Sequence, residues 1–240
     1  MVRRLRGRRP VLILPGGPIA FPDADEADDE GLVAIGGDLS SARLLAAYDR
    51  GIFPWYDEGV PPLWWSPNPR AIIEPGGVHV SRSLRRLLRR APFDVTYDRA
   101  FERVMRECGR RDVGTWIIPE MIDAYVALHR TGHAHSFEVW RGDELVGGLY
   151  GVHRGALFAA ESMFHKVTDA SKVALVHAAT SVFAAGIEVF DVQLLTSHLA
   201  SMGAIEVTRS DYLARVRSAT AQKVSLNALS LAWEAEPQRM

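Results

Sequence analysis

Cysteine is almost missing from this chain: Cys108 is the single one in 240 residues. One thiol can form neither an internal disulfide nor a cysteine-based zinc site, so a reducing compartment, the cytoplasm, is expected. Long apolar runs are missing too. No stretch approaches the roughly 18 residues that a membrane span needs, and the lead Met1-Val2-Arg3-Arg4-Leu5-Arg6 runs into a Pro- and Gly-broken segment without a small-residue cleavage site. Neither an export signal nor a membrane anchor is expected. The formal net charge is only -1, and with 48% apolar and 24% charged residues the composition excludes disorder, collagen and coiled coil. What remains is an ordinary globular chain of one large or two modest domains.

The small net charge conceals blocks of each sign. Arg3, Arg4, Arg6, Arg8 and Arg9 open the chain, and Asp23, Asp25, Glu26, Asp28, Asp29 and Glu30 follow; a solvated tail and a solvated loop account for both. A third block differs. From Ser81 to Ala91 the chain reads SRSLRRLLRRA, which puts Leu84, Leu87, Leu88 and Ala91 on one helix face and Arg82, Arg85, Arg86, Arg89 and Arg90 on the other. Like charges at these spacings cost a helix about 0.2–0.5 kcal/mol per pair, and no carboxylate interrupts them. Either acids elsewhere in the fold pair with this face, or it receives a polyanion, whose phosphates suit the arginine fork. Nucleic acid or another phosphate-rich ligand is the reading adopted.

The first 68 or so residues are rich in Gly, Pro and Trp, and Pro54, Pro61, Pro62, Pro67 and Pro69 mark a join to a more regular remainder. A small N-terminal α/β domain over 1–68, with 1–18 as a flexible extension, and a larger domain over 69–240 are expected. Strand Phe93–Tyr97 is followed by helices Ala100–Cys108 and Pro119–His129, the second with proline at its start. Strands Ser136–Trp140, Leu145–His153 and Ala156–Glu161 form a meander, separated by the turn signals Gly142-Asp143 and Arg154-Gly155. Helix Asp169–Ala185 ends at Gly186; strand Ile187–Gln193, helix Ser197–Met202, strand Ala204–Val207 and helix Asp211–Ala219 complete the order. The class is α+β, and this order is that of the GNAT-type acetyltransferase fold. The turn before the long helix, His165 to Ser171, contains no glycine to cradle a CoA pyrophosphate.

Polar residues among apolar ones narrow the candidate site. Strict alternation in Ile187–Gln193 puts Asp191 and Gln193 on one face at the strand end, where open sheets hold ligands. Glu161 ends the third meander strand beside Ser162-Met163-Phe164, as an exposed acid, an ion-pair partner or a site residue. His129, His133 and His135 form an H-x3-H-x-H string, but Gly132 interrupts it and no further ligand is spaced to join, so no metal is expected.

Nine stretches together resemble the leucyl/phenylalanyl-tRNA–protein transferase family: GLVAIGGDLS (31–40), LLAAYDRGIFPW (44–55), LWWSPNPRA (63–71), GTWI (114–117), AHSFEVW (134–140), LVGGLYG (145–151), ESMF (161–164), DASKVAL (169–175) and the D-x-Q of Asp191 and Gln193. The resemblance implies a small N-terminal domain joined to a GNAT-like catalytic domain, with no cofactor. It implies transfer of Leu or Phe, and less well Met, from aminoacyl-tRNA to proteins that begin with Arg or Lys, which marks them for N-degron degradation. Glu161, Asp191 and Gln193 then belong to the reaction centre and Trp55 and Trp116 flank the terminal adenosine of the tRNA. Leu149, Phe158, Met163 and Leu175 line an apolar pocket for the transferred side chain, although periodicity alone would make them plain core. Trp140 and Trp233 are expected in core packing.

The chemistry so implied is light, because the ester is already activated and an α-amine has an ordinary pKa of about 7.7–8.0. The resemblance leaves the proton's destination open between Gln193, oriented by Asp191, and the tRNA's own hydroxyl; Glu161 and Asp191 also offer negative charge to a cationic N-terminus. Ala160, His165 and Val192 replace smaller or different residues of the family pattern, so the site is expected to be slightly tighter. A CoA-dependent N-acetyltransferase and a non-catalytic RNA-binding protein are the alternatives.

Overall fold

The computed structural model describes residues 12–14, 19–110, 114–227, 229 and 231. The basic block Arg3–Arg9, most of the expected extension and Trp233 lie outside them. Strand β1 (Leu12–Leu14) pairs in parallel with β2 (Leu32–Gly36), and α1 (Ser41–Tyr48) leads into β3 (Phe53–Pro54) and β4 (Leu63–Trp65) to give a mixed sheet of order β1-β2-β4-β3. The acidic block before β2 is partly structural. Asp28 is buried, and its Oδ1 accepts from the backbone N–H of Glu30 at 3.0 Å and of Leu32 at 2.9 Å, closing its own turn.

The second sheet begins with β5 (Arg70–Ile73), which the sequence pattern does not announce because four residues directly after Pro69 carry too little periodicity. Then come α2 (Arg82–Arg90), β6 (Asp94–Tyr97), α3 (Phe101–Gly109), α4 (Pro119–Arg130), β7 (Ala134–Arg141), β8 (Glu144–Arg154) and β9 (Leu157–His165). The chain continues through α5 (Ala170–Ala184), β10 (Val189–Gln193), α6 (Ser197–Ser201), β11 (Ile205–Val207) and α7 (Arg209–Thr220). The strand order is β11-β5-β10-β9-β8-β7-β6. Strands β6 to β9 are antiparallel, β10 lies parallel to β9, and β5 runs antiparallel to both β10 and β11. The meander, long helix, strand, helix and strand thus follow the expected order. Strand β9 runs four residues past its expected end, because Ser162 to His165 continue to pair with β8 beyond a bulge.

One face of this sheet is covered by α5, whose sequence ASKVALVHAATSVFA is apolar almost all round and correspondingly buried. Leu84 and Leu88 of α2 join the same cluster with Phe137, Leu149, Phe158 and Phe190. The other face packs α3, α4 and α7 together with Leu44, Ala47, Tyr48, Ile52 and Trp64 of the N-terminal segment in one continuous core. That continuity brings α1 and β3 up against the second sheet. At the start of α5 the contact is so close that a Cβ on Gly147 would lie 2.6 Å from the Cβ of Ala170 and 2.9 Å from its carbonyl carbon. Neither neighbour can swing away, so Gly147→Ala should lower stability by about 1–3 kcal/mol. Thermal unfolding checks this, with an unchanged melting point as the contrary result. Among the described residues no helix is long and apolar enough to cross a membrane.

Candidate active site

A cavity of about 400 Å³ opens where β9, β10 and the start of α5 meet the β3 segment. Trp55 and Trp116 stand in its wall with Leu149, Met163 and Leu175, and the polar part is supplied by Glu161 and Gln193. Seven of the expected site residues therefore share one opening. Trp55 is 43% exposed, with the Trp65 ring tilted beside it at a centroid distance of 6.2 Å. Ala160 and Val192, two of the positions that depart from the family pattern, line the same cavity.

Two expectations need correction. Phe158 does not line the cavity: it is fully buried and packs its ring against Phe137 and Phe190 at centroid distances of 6.2 and 5.4 Å. It supports the apolar wall from behind. Asp191 and Gln193 do not share a face, because the register shifts between them and Gln193 takes a left-handed backbone with φ 56°. Gln193 lines the cavity with Val192, while Asp191 is fully buried beneath them.

Asp191 is tied on every side. Arg70 donates from Nε to Oδ1 at 2.8 Å and from its terminal nitrogen to Oδ2 at 2.6 Å, a bidentate pair in which both residues are buried. The Tyr212 hydroxyl accepts from Arg70 at 3.2 Å and donates to Asp191 Oδ2 at 2.9 Å. The guanidinium also lies over the rings of Phe53 and Tyr212, 4.7 and 4.4 Å from their centroids. Asp191 in turn accepts the backbone N–H of Gln193 at 3.0 Å. Its negative charge is matched by Arg70, so it holds the Gln193 backbone in its unusual conformation and is not available to dock a cation.

Glu161 is different. Burial pushes its carboxyl up to about 8, and nearby Asp191 adds to the rise, while hydrogen bonds from Tyr48 and Tyr125 and the charge of Arg70 oppose it. Gln193 Nε2 lies 3.4 Å from Glu161 Oε1 in one setting of the amide. Turned over, the amide nitrogen donates to the carbonyls of Ala160 at 3.0 Å and Val192 at 3.2 Å, which is the better network. The Gln193 carbonyl oxygen then faces Glu161, where a protonated carboxyl can donate to it.

The arginines of α2 are all exposed. Ser81 Oγ caps the helix by accepting from Leu84 N at 3.2 Å. A groove of about 470 Å³ runs along Val80, Arg82, Arg85, Arg86 and Arg89, with Arg90 beyond it at the helix end. Among the described residues no acid forms an ion pair with any of the five. The histidine string is otherwise engaged. His129 Nδ1 meets the carbonyl of Ala134 at 2.8 Å, and His135 Nδ1 meets Asp98 at 2.7 Å.

Sequence reasoning missed four residues here: Arg70, Tyr212, Tyr48 and Tyr125. A signal existed for Arg70, since a charge opening the apolar run RAII needs a buried partner. The tyrosines carry no such mark.

The family model for leucyl/phenylalanyl-tRNA protein transferase matches residues 72–217, and the model for that transferase's N-terminal domain matches residues 37–68. The chain belongs to this family. The leucyl/phenylalanyl-tRNA–protein transferase of Anaeromyxobacter sp. (strain K) is 54% identical over 217 residues, covering 89% of this chain and 93% of its own. Those of Syntrophobacter fumaroxidans and Citrobacter koseri are 53% identical over 199 residues and 50% identical over 209; they cover 81% and 86% of this chain and 85% and 89% of their own. Within the transferase family's two matched segments, Tyr48 and Trp55 fall in the first and Tyr125, Glu161, Asp191, Gln193 and Tyr212 in the second. Arg70 falls between them.

Proposed function

We propose that the protein transfers leucine or phenylalanine, and methionine less readily, from aminoacyl-tRNA to the N-terminal α-amine of proteins that begin with Arg or Lys. Such transfer marks the acceptor for N-degron degradation in the cytoplasm. The catalytic unit is GNAT-like over 69–240, a reading supported by the element order and by β10 lying parallel to β9, with the small domain over 1–68 contributing Trp55 to the cavity. The carrying observation is the cavity itself: aromatic faces, an apolar end and the Glu161/Gln193 corner converge on one opening.

The terminal adenosine stacks on Trp55 and Trp116, each such stack being worth about 1–3 kcal/mol. The esterified side chain enters among Leu149, Met163 and Leu175. A pocket of this kind separates substrates by only about 1–3 kcal/mol per methylene, so Leu, Phe and Met share it. Glu161 accepts a proton from the incoming ammonium. With the carboxyl near 8 and the α-ammonium at about 7.7–8.0, that exchange is close to thermoneutral. The freed amine attacks the ester carbonyl carbon; its second proton passes to the ribose oxygen as the carbon–oxygen bond to tRNA breaks. Gln193, held by Asp191 through its backbone, orients the protonated Glu161 away from the new amide.

Labelled Leu-tRNA mixed with a protein beginning with Arg should yield acid-insoluble label, lost by at least about a hundredfold in Glu161→Gln, since a positioned general acid–base group contributes about 10²–10⁴-fold. Label drawn only from acetyl-CoA would establish the N-acetyltransferase instead. Retention of RNA without transfer would establish a binding protein.

A further inference from the structure

Glu161 stands in the cavity wall, yet its carboxyl is held from behind by two residues the mechanism above does not use. Tyr48 on α1 and Tyr125 on α4 meet with their hydroxyl oxygens 2.5 Å apart, and both side chains are buried. The Tyr125 hydroxyl donates to Glu161 Oε2 at 3.5 Å, and Tyr48 reaches the same carboxylate. The Tyr125 contact is at the long end for a hydrogen bond.

Each phenol carries one proton. One of the two protons is used inside the pair, because oxygens this close must share one. Whichever tyrosine donates to the other, the second proton is free for Glu161. Burial holds both phenols well above their ordinary value of 10, so they act as donors and never as bases in the working range. Packing alone would not place two hydroxyls here, since phenylalanine fills the same space without the cost of burying polar groups.

We propose that Tyr48 and Tyr125 are interchangeable positioning residues that deliver a single hydrogen bond to the Glu161 carboxylate and favour the ionised form that takes the ammonium proton. The inference rests on the transfer reaction proposed above. Other groups also face Glu161: Arg70 of β5, Asp191 and Gln193 of β10, and Tyr212 of α7. Tyr56 and Glu120, joined at 3.5 Å, lie behind Tyr125. Arg70 and Asp191 neutralise one another, and Tyr212 donates to Asp191, which leaves the tyrosine pair as the donors that respond to Glu161.

Interchangeability gives a signature that simple structural support would not. In Tyr48→Phe or Tyr125→Phe the surviving hydroxyl still has a proton for Glu161, and only the polarisation within the pair is lost. In the double variant nothing is left to donate. Carbon-13 titration of the Glu161 carboxyl in the full-length protein, assigned with Glu161→Gln, should shift by under about half a unit in each single variant and upward by more than about one unit in the double. In step with that shift, kcat/KM with Leu-tRNA and an Arg-initiated peptide should fall about tenfold near neutral pH in the double variant and recover as pH rises. A near-isosteric fluorotyrosine at either position, a stronger donor, should move the midpoint down and serves if the double variant does not fold. A double variant that titrates like the parent, single variants that already show the full shift, or an unmoved midpoint with fluorotyrosine would overturn the inference. The titration needs no transfer, so failure of the proposed reaction and failure of the tyrosine pair are read separately.

Discussion

Exchanging Arg70 for methionine should lower the melting temperature by about 6–20 °C. The size follows from burial: removing one partner of a buried ion pair costs about 3–5 kcal/mol, because the other charge is left without compensation, and a chain of this length loses about 2–4 °C per kcal/mol. Both Arg70 and Asp191 are almost completely buried, at 1% and 0% exposure, so solvent cannot take over the lost partner. Methionine keeps most of the volume between the rings of Phe53 and Tyr212, which separates loss of charge from loss of packing. Adding Asp191→Asn removes the stranded charge and should restore much of the stability. It should not restore transfer, because an amide pairs less strongly with the Gln193 backbone N–H that fixes the cavity corner. A melting curve like the parent's for Arg70→Met would show that Asp191 is held by something other than this pair. Arg70→Lys is a sharper variant of the same test: an ammonium cannot span both carboxylate oxygens, so part of the loss should persist although the charge is kept.

What the sequence discloses and what it hides divide along the range of the interactions. The helix start at Pro119, the hairpin turns at Gly142 and Gly155 with φ of 58° and 57°, and the apolar length of α5 are local features, and the corresponding elements stand where the pattern puts them. The arginine face of α2 is equally local. Strand β5 is not, because its place between β10 and β11 depends on partners more than a hundred residues away. The supports of the site follow the same rule. Arg70 and Asp191 are 121 residues apart, Tyr48 and Tyr125 are 77 apart, and no single segment shows that they meet. Strict alternation failed at Asp191 and Gln193 because a bulge adds a residue without leaving any mark in the composition. Resemblance assigned Phe158 to the pocket, whereas aromatic packing on both sides keeps it one layer back.

Replacing Arg85, Arg86 and Arg89 by glutamine should flatten the salt dependence of tRNA binding by about 2–3 in log–log slope, since each neutralised phosphate contributes roughly 0.7–0.9. Over a fourfold rise in salt, the parent should then lose about 20–40-fold more affinity than the variant. Such binding requires guanidiniums that are free to meet phosphate. All three are exposed along one groove, and among the described residues no acid pairs with them. Five like charges on nine helical residues repel one another in the free protein, so a polyanion gains both the contacts and the relief of that repulsion. Leu84 and Leu88 anchor the opposite face in the core shared with Leu149 and Leu175, which fixes the helix to the layer carrying the apolar wall of the cavity. The effect should appear in the KM for charged tRNA and be absent for a small aminoacyl-adenosine analogue, which on the function proposed above would occupy the cavity at Trp55 and Trp116 but has no acceptor arm to engage α2. Equal losses for both substrates would mean that the substitutions act on the fold, and an unchanged salt slope would remove α2 from tRNA recognition while leaving the cavity chemistry intact.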